Sequence, residues 1–280
     1  MHLPRGEVNL KSHTYGTLPK GRKTVIDLLT MISSSAVPSY LMRDIDMTWS
    51  NSVRARLKKD GIKITVTAIL LKAIAIAQKK HPHSRSDVLP FGIVVTYEDI
   101  VAGFTIERSE DTQDTVFFGE IESPHEKSLS AIANELTDYA QKSVRELPPL
   151  ALQTRYAKFP YLLRRAILGI GSVFPSVRIK CQKATFGLTT LGKYQVESVL
   201  SPCVCTSTFG IGAIEERPIV VDNQTVIRSM MTITFNFNAK VMDMQTASNF
   251  LEDVCNLIQG ELQEHLETEI ATKKEELMVA

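Results

Sequence analysis

The stretch ITVTAILLKAIAIAQKKHP, residues 64–82, constrains the fold more than any other part of the chain. Its apolar residues fall on most faces of a helix instead of one stripe, so other elements must enclose it on more than one side. The apolar run Val66–Ala77 is interrupted by Lys72 and is far too short to cross a bilayer, which takes about 20 residues. Pro82 ends it. A helix of this kind needs a layered domain around it, and 280 residues with 44% apolar content are enough to build one.

The remaining segments supply the layers. RKTVIDLLTMISSS reads as a first helix closed by the serine run before Pro38, and YLMRDIDMT alternates as a strand. NSVRARLKKDG reads as a helix with Ser50 or Asn51 as N-cap and Gly61 as its stop. From Pro90 to Ile121 the pattern is β-rich, two or three strands with a polar turn at SEDTQD. SLSAIANELTDYAQKSVREL puts Leu129, Ile132, Ala133, Leu136 and Ala140 on one helical stripe, and Pro148 and Pro149 are read as its end. TFGLTTLG, CVCTSTFGIGAIEERPIVV, a turn at Asp222 and Asn223, and TVIRSMMTITFNFNAK continue the β pattern. The helix TASNFLEDVCNLIQGEL then runs into a charged tail over about 260–280. This order predicts an α+β sandwich as one domain spanning 1–280.

Lysine plus arginine (32) nearly balances aspartate plus glutamate (31), so no global field recruits nucleic acid, and a ligand must be recognised locally. The polar start MHLPRGEVNLKSH is no secretory leader, which predicts a cytoplasmic protein. Cys181, Cys203, Cys205 and Cys255 are scattered and read as reduced thiols; Cys203-x-Cys205 is read as strand residues, with no metal site. The segment over about 148–180 stands apart: PYLLRRAILGIGSVFPSVRIK is apolar, with paired arginines and internal glycines. It reads as a helical excursion packed on the core, or as a lid or lipid-facing surface.

Several motifs together resemble the catalytic domain of the 2-oxoacid dehydrogenase acyltransferases. RKTVIDLLTMISSSAVPSYLMRDIDMT resembles that domain's opening, KITVTAILLKAIAIAQKKHP its buried helix, and SLSAIANEL a later helix. TFGLTTLG resembles the family's TFTxSNLG strand and turn, and GIGAIEERPIVV its GIGRIxEKPVV strand. The similarity runs from about Leu18 to about Gln259. The resemblance implies the chloramphenicol acetyltransferase-like fold, a two-layer sandwich of a mixed sheet with helices packed on it. It also implies a homotrimer, with each active site in a channel between two subunits that accepts coenzyme A or a dihydrolipoyl arm. A histidine from the family signature DHRxxDG takes the proton of a thiol or hydroxyl nucleophile, and the hydroxyl of TFTxSNLG steadies the oxyanion.

The signature breaks in this chain. In TFNFNAKVMDM, Asp243 stands at the family's second aspartate, Asn238 at the first, Ala239 at the histidine, Lys240 at the arginine and Met244 at the glycine. A methyl group accepts no proton, so ordinary acyl transfer should lose the factor of about 10² to 10⁴ that such a base supplies. Thr189 stands for the family serine and can still donate to an oxyanion; Thr190 stands for the asparagine. Three groups are candidate replacement bases: His81 and His83 in KKHPHSRS, and Lys240, if burial depresses its pKa. Loss of the ring should leave a void lined by Ala239, Thr189, Met242 and Met244 that favours an apolar ligand. Catalytic candidates are therefore Thr189, Lys240, Asp243, His81 and His83, and substrate-binding candidates are Thr190, Asn238, Ala239, Met242 and Met244. No metal is expected, and coenzyme A thioester is the candidate cofactor. With no lipoyl or subunit-binding segment ahead of it and a charged tail behind, the chain is not expected to build a multienzyme core. Three functions fit these residues. One is a repurposed enzyme of specialised biosynthesis, performing acyl transfer, cyclisation, condensation or elimination on a small molecule. The others are a ligand- or partner-binding pseudoenzyme and a structural subunit of a mixed trimer.

Overall fold

The computed structural model describes residues 22–266 apart from 23, 24, 28, 31–35, 60, 111, 112, 183, 203 and 204. Its strands are β1 (Pro38–Asp46), β2 (Ser86–Val88), β3 (Val94–Thr96), β4 (Val101–Glu110), β5 (Gln113–Glu122), β6 (Phe186–Thr190), β7 (Ser207–Val221) and β8 (Gln224–Asn238). Its helices from Thr48 onward are α1 (Thr48–Lys59), α2 (Val66–Lys80), α3 (Leu129–Gln141), α4 (Pro148–Ala157), α5 (Tyr161–Gly171), α6 (Pro175–Gln182) and α7 (Met244–Asn256). The described residues of the expected first helix are helical up to Thr30. The rest of that stretch, like the SEDTQD turn tip and Cys203, lies outside the described residues.

Six strands form one mixed sheet in the order β1-β8-β7-β6-β4-β5. The pairs β6–β7 and β6–β4 are parallel and the others antiparallel. The long β7–β8 hairpin turns at Asp222 and Asn223, with φ of 51° and 61°, the left-handed pair that a tight hairpin turn requires. Helix α2 is the centre of the second layer. Every residue from Ala68 to Gln78 is buried, as its all-round apolar pattern demands. Lys72, at 2% exposure, stays inside because its Nζ donates to the carbonyls of His125 (3.1 Å) and Lys127 (2.6 Å). Helix α7 packs its apolar stripe on the sheet, with Phe250 edge-on to Phe235 at 5.2 Å and Phe235 stacked on Phe209 at 4.9 Å.

Two helix boundaries differ from the sequence reading. Helix α1 starts at Thr48, not after Ser50 or Asn51, because Asp46 at the end of β1 accepts from the Thr48 amide at 2.8 Å. Helix α3 stops at Gln141. The amide and hydroxyl of Ser143 both donate to Glu146 (2.8 and 2.7 Å), closing a turn and holding that carboxyl below the usual range. Pro148 opens α4 instead of ending α3, since proline at the first helical position lacks only an amide that has no partner there.

Helices α4, α5 and α6 fill the segment between α3 and β6. Two buried ion pairs tie them to the core. Arg164 Nε meets Asp27 at 2.6 Å. Arg178 Nε lies 2.5 Å from Asp87 Oδ2, and its Nη2 donates to Oδ1 at 3.1 Å. Among the described residues no helix is long and apolar enough to cross a membrane, and no His, Cys, Asp or Glu group could hold a metal ion.

Candidate functional site

The residues singled out in the sequence fall at two separate places on the sheet. The first is the C-terminal end of β6, where Thr189 and Thr190 pair with Gly210 and Ile211 of β7. Beyond them opens a cleft of about 570 Å³, whose lining includes Thr67, Leu70, Thr190, Lys193, Ile211 and Glu215. The chain shapes this cleft by doubling back. The segment after Gln195, itself at φ 58°, crosses directly over β7, where Ala213 N donates to Val196 O at 2.7 Å. Asn236 Nδ2 donates to Ser201 O at 2.7 Å, and the Thr234 hydroxyl donates to Val199 O. A Cβ on Gly210 would sit 2.0 Å from Val199 O, and one on Gly212 1.9 Å from Glu197 O. The GIG of GIGAIEERP is therefore a crossing point of two backbones, and only glycine fits there.

The rim of the cleft carries groups that the sequence reading missed. Lys193 and Tyr194 both reach Glu107 Oε2, at 2.5 and 2.7 Å, and these hydrogen bonds hold the Glu107 carboxyl below its ordinary range. The only signal in the sequence was the polar run after TFGLTTLG; its partner on β4 is far away in sequence.

The second place is the turn after β8. Asn238 is buried, and its Oδ1 accepts from the amides of Val37 (3.0 Å) and Lys240 (3.1 Å). The Ala239 amide donates to Val37 O at 2.8 Å. Its methyl and the Lys240 side chain face outward. Asp243 caps α7 by accepting from the Thr246 amide at 2.7 Å, which, with a smaller contribution from the charge of His83, holds its carboxyl below the ordinary aspartate value. Met244 is 55% exposed on the first turn of α7. Met242 is 2% exposed and belongs to the hydrophobic core, so within this chain it shares no exposed lining with the outward Ala239 methyl.

The histidine-bearing turn after α2 packs against α7. His81 Nε2 lies 2.9 Å from Asp253 Oδ2, with its ring 5.5 Å from that of Phe250, which makes it a post between helices. A buried polar cluster fixes the turn to the sheet. Gln78 Nε2 donates to Ser84 O (3.0 Å), and Thr206 Oγ1 donates to the same carbonyl (2.8 Å). The Thr185 hydroxyl donates to Gln78 Oε1 (2.9 Å). His83 is exposed, and it is the histidine whose charge reaches Asp243.

The structure thus gathers Asn238, Ala239, Lys240, Asp243 and His83 at one end and Thr189 and Thr190 at the other. The strand register measures the gap. Thr190 sits beside Ile211, which faces Ile233 of β8. From 233 to 239 the chain advances six residues at about 3.4 Å each, roughly 20 Å.

Comparison with known proteins follows this geometry. Residues 12–147 and 179–266 match the family described as the 2-oxoacid dehydrogenases acyltransferase (catalytic domain). The chain is 24% identical over 245 residues to the lipoamide acyltransferase component of the branched-chain alpha-keto acid dehydrogenase complex of Bacillus subtilis, covering 85% of this chain and 50% of that protein. It spans about half the length of the curated relatives it matches. Dihydrolipoamide acetyltransferase of Azotobacter vinelandii superposes with a TM-score of 0.67 at 18% identity, covering 92% of this chain and 98% of that one. Chloramphenicol acetyltransferase superposes with a TM-score of 0.51 at 14% identity, over 84% and 95% of the two chains. These similarities establish the two-layer fold. The family match leaves out 148–178, the stretch that holds α4, α5 and the start of α6.

Proposed function

Because this chain belongs to the acyltransferase catalytic-domain family of the 2-oxoacid dehydrogenases, we propose that it keeps a small-molecule site completed by a second copy of itself and no longer performs that family's ordinary acyl transfer. The observation that carries the reading is the distance between the two groups of site residues. Thr189 and Thr190 beside the cleft, and the Ala239–Asp243 turn, lie roughly 20 Å apart along the sheet. One ligand of moderate size reaches both only when two chains meet. In this reading the protein is a cytoplasmic homotrimer, and each channel pairs the cleft of one chain with the turn of its neighbour.

The cleft suits an extended thioester arm. Leu70, Ile211 and Met231 offer apolar contact, while Thr67, Thr190, Gln195 and Lys193 offer hydrogen bonds and one cation. Thr189 is the group to donate to an oxyanion. On the turn, the structure of the A. vinelandii enzyme was determined to examine a serine, a histidine and an asparagine in its mechanism, the last two standing four residues apart. Ala239 and Asp243 share that spacing. Here the first is a methyl, and the second is engaged as a helix cap. Asn238 is likewise committed to the backbone of the turn and His81 to Asp253, so the exposed His83, whose charge reaches Asp243, is the group proposed to take a proton there. The site then serves a reaction that needs no imidazole at position 239: acyl transfer with a substituted base, cyclisation, condensation or elimination.

A second reading, a ligand-binding pseudoenzyme, is favoured by one observation: Asn238, Asp243 and His81 all hold structure. Two measurements test the shared premise. Light scattering should give a trimer, and a monomer at micromolar concentration removes the basis for a two-chain site. Replacing the outward-facing Ala239 with phenylalanine should abolish binding of a coenzyme A thioester, measured by calorimetry, while the trimer stays folded. Unchanged binding moves the site elsewhere.

A further inference from the structure

Helix α5 is built inside out. Its buried face carries Arg164, Leu168 and Gly171, with the Arg164 guanidinium held against Asp27. Its outward stripe is apolar: Leu162, Ala166 and Ile170 recur four residues apart, with Leu162 79% and Ile170 50% exposed. Phe159 before the helix, Tyr161 at its first position, and Val173 and Phe174 after it extend the stripe at both ends, each between 42% and 58% exposed. An ordinary surface helix turns its apolar stripe to the core. A patch of this kind, exposed and contiguous, marks a surface that something covers.

Charge says what covers it. From Pro148 to Gln182 there are six basic residues and no acidic one, in a chain whose 32 basic and 31 acidic residues balance only as a whole. Two of the six, Arg164 and Arg178, are neutralised inside the protein by Asp27 and Asp87. Arg155, Lys158, Arg165 and Lys180 are left around the apolar stripe, all but the half-buried Arg165 exposed. The Arg165 guanidinium lies 5.4 Å from the Tyr161 ring centroid and donates to its hydroxyl at 3.0 Å, a pairing of aromatic body and polar tip suited to a boundary between apolar and wet surroundings. The matched family domain skips 148–178, so the segment is an addition to the shared catalytic fold.

We infer that α5 and its flanks are a docking surface for an anionic lipid bilayer, on which the protein rests peripherally with the α5 stripe in the headgroup boundary. An exposed apolar stripe with cations on it and on its flanking segments is the pattern of an interfacial surface, and a uniformly anionic surface matches a segment free of carboxylates better than a folded protein partner, whose surface mixes both signs. The inference is independent of the chemistry proposed for the cleft.

The test is sedimentation of the whole chain with phosphatidylcholine vesicles prepared with and without phosphatidylglycerol, at low and high salt. Binding should require phosphatidylglycerol and weaken with salt. Both Leu162→Glu and the pair Arg155→Glu with Lys158→Glu should reduce it about tenfold or more, with the circular dichroism and the oligomeric mass unchanged. Three results overturn the inference. One is no binding to phosphatidylglycerol vesicles. Another is binding that Leu162→Glu leaves intact. The third is a Leu162→Glu variant whose only defect is a smaller oligomer, which makes the stripe a contact between copies.

Discussion

At the β6–β7 end of the sheet, a pinned backbone and polar side chains come together: the glycine crossing at Gly210 and Gly212, the threonines at 189 and 190, and a polar-rimmed cleft. At the β8 end the backbone is equally well pinned, by Asn238 to Val37 and by Asp243 to Thr246, yet the side chain aimed outward from the turn is a methyl. The difference teaches that the turn is held by hydrogen bonds from residues on either side of position 239. That position can therefore change its chemistry at almost no cost to the fold, whereas the cleft cannot lose a glycine without losing the strand crossing that forms it.

The largest expected effect tests the first half of this comparison. Gly212→Ala puts a methyl 1.9 Å from a backbone carbonyl and should cost about 3 kcal/mol or more, or prevent folding outright. A normal urea midpoint for this variant means the crossing gives way easily and the cleft is soft. Next comes Asn238→Ala at the turn, which leaves the Val37 and Lys240 amides without their acceptor and should cost about 1–2 kcal/mol. Chemical denaturation reads it; no loss means the turn is held from elsewhere.

The smallest effect belongs to Asp243→Ala. The folded carboxyl titrates below its ordinary value of 3.8, so its contribution is fully present above that value and disappears as the pH falls through the lower folded pKa. The gap in stability between wild type and variant should therefore exist at neutral pH and close in strong acid. A gap that persists undiminished in strong acid contradicts the cap assignment.

Much of this was legible in the residues, for identifiable reasons. The all-round apolar pattern of α2, the β-rich composition of β7 and β8 and the Asp222–Asn223 turn are local signals, and the structure follows them. The errors came where one residue type serves two purposes. Pro148, a stop signal for one helix, opens the next, and Met242, of a type that suits a ligand channel, packs in the core. At the candidate site, the broken signature at Ala239 could be read directly. The commitments that decide which neighbours remain available could not: His81 finds Asp253 172 residues away, and Lys193 finds Glu107 86 residues away. Such pairs are set by the sheet order, to which no local pattern points.

The central claim is that the scaffold survives and the base is missing, and restoring the base tests it most directly. Acetyl transfer from acetyl-coenzyme A to a small thiol should be near background for the wild-type protein. It should rise by about 10² or more in Ala239→His, the range a positioned general base supplies, because the turn that would carry the imidazole is already held in place. A wild-type turnover near the ordinary enzyme value of about 10 s⁻¹, or an Ala239→His variant that folds and assembles like the wild type yet stays at background, contradicts it.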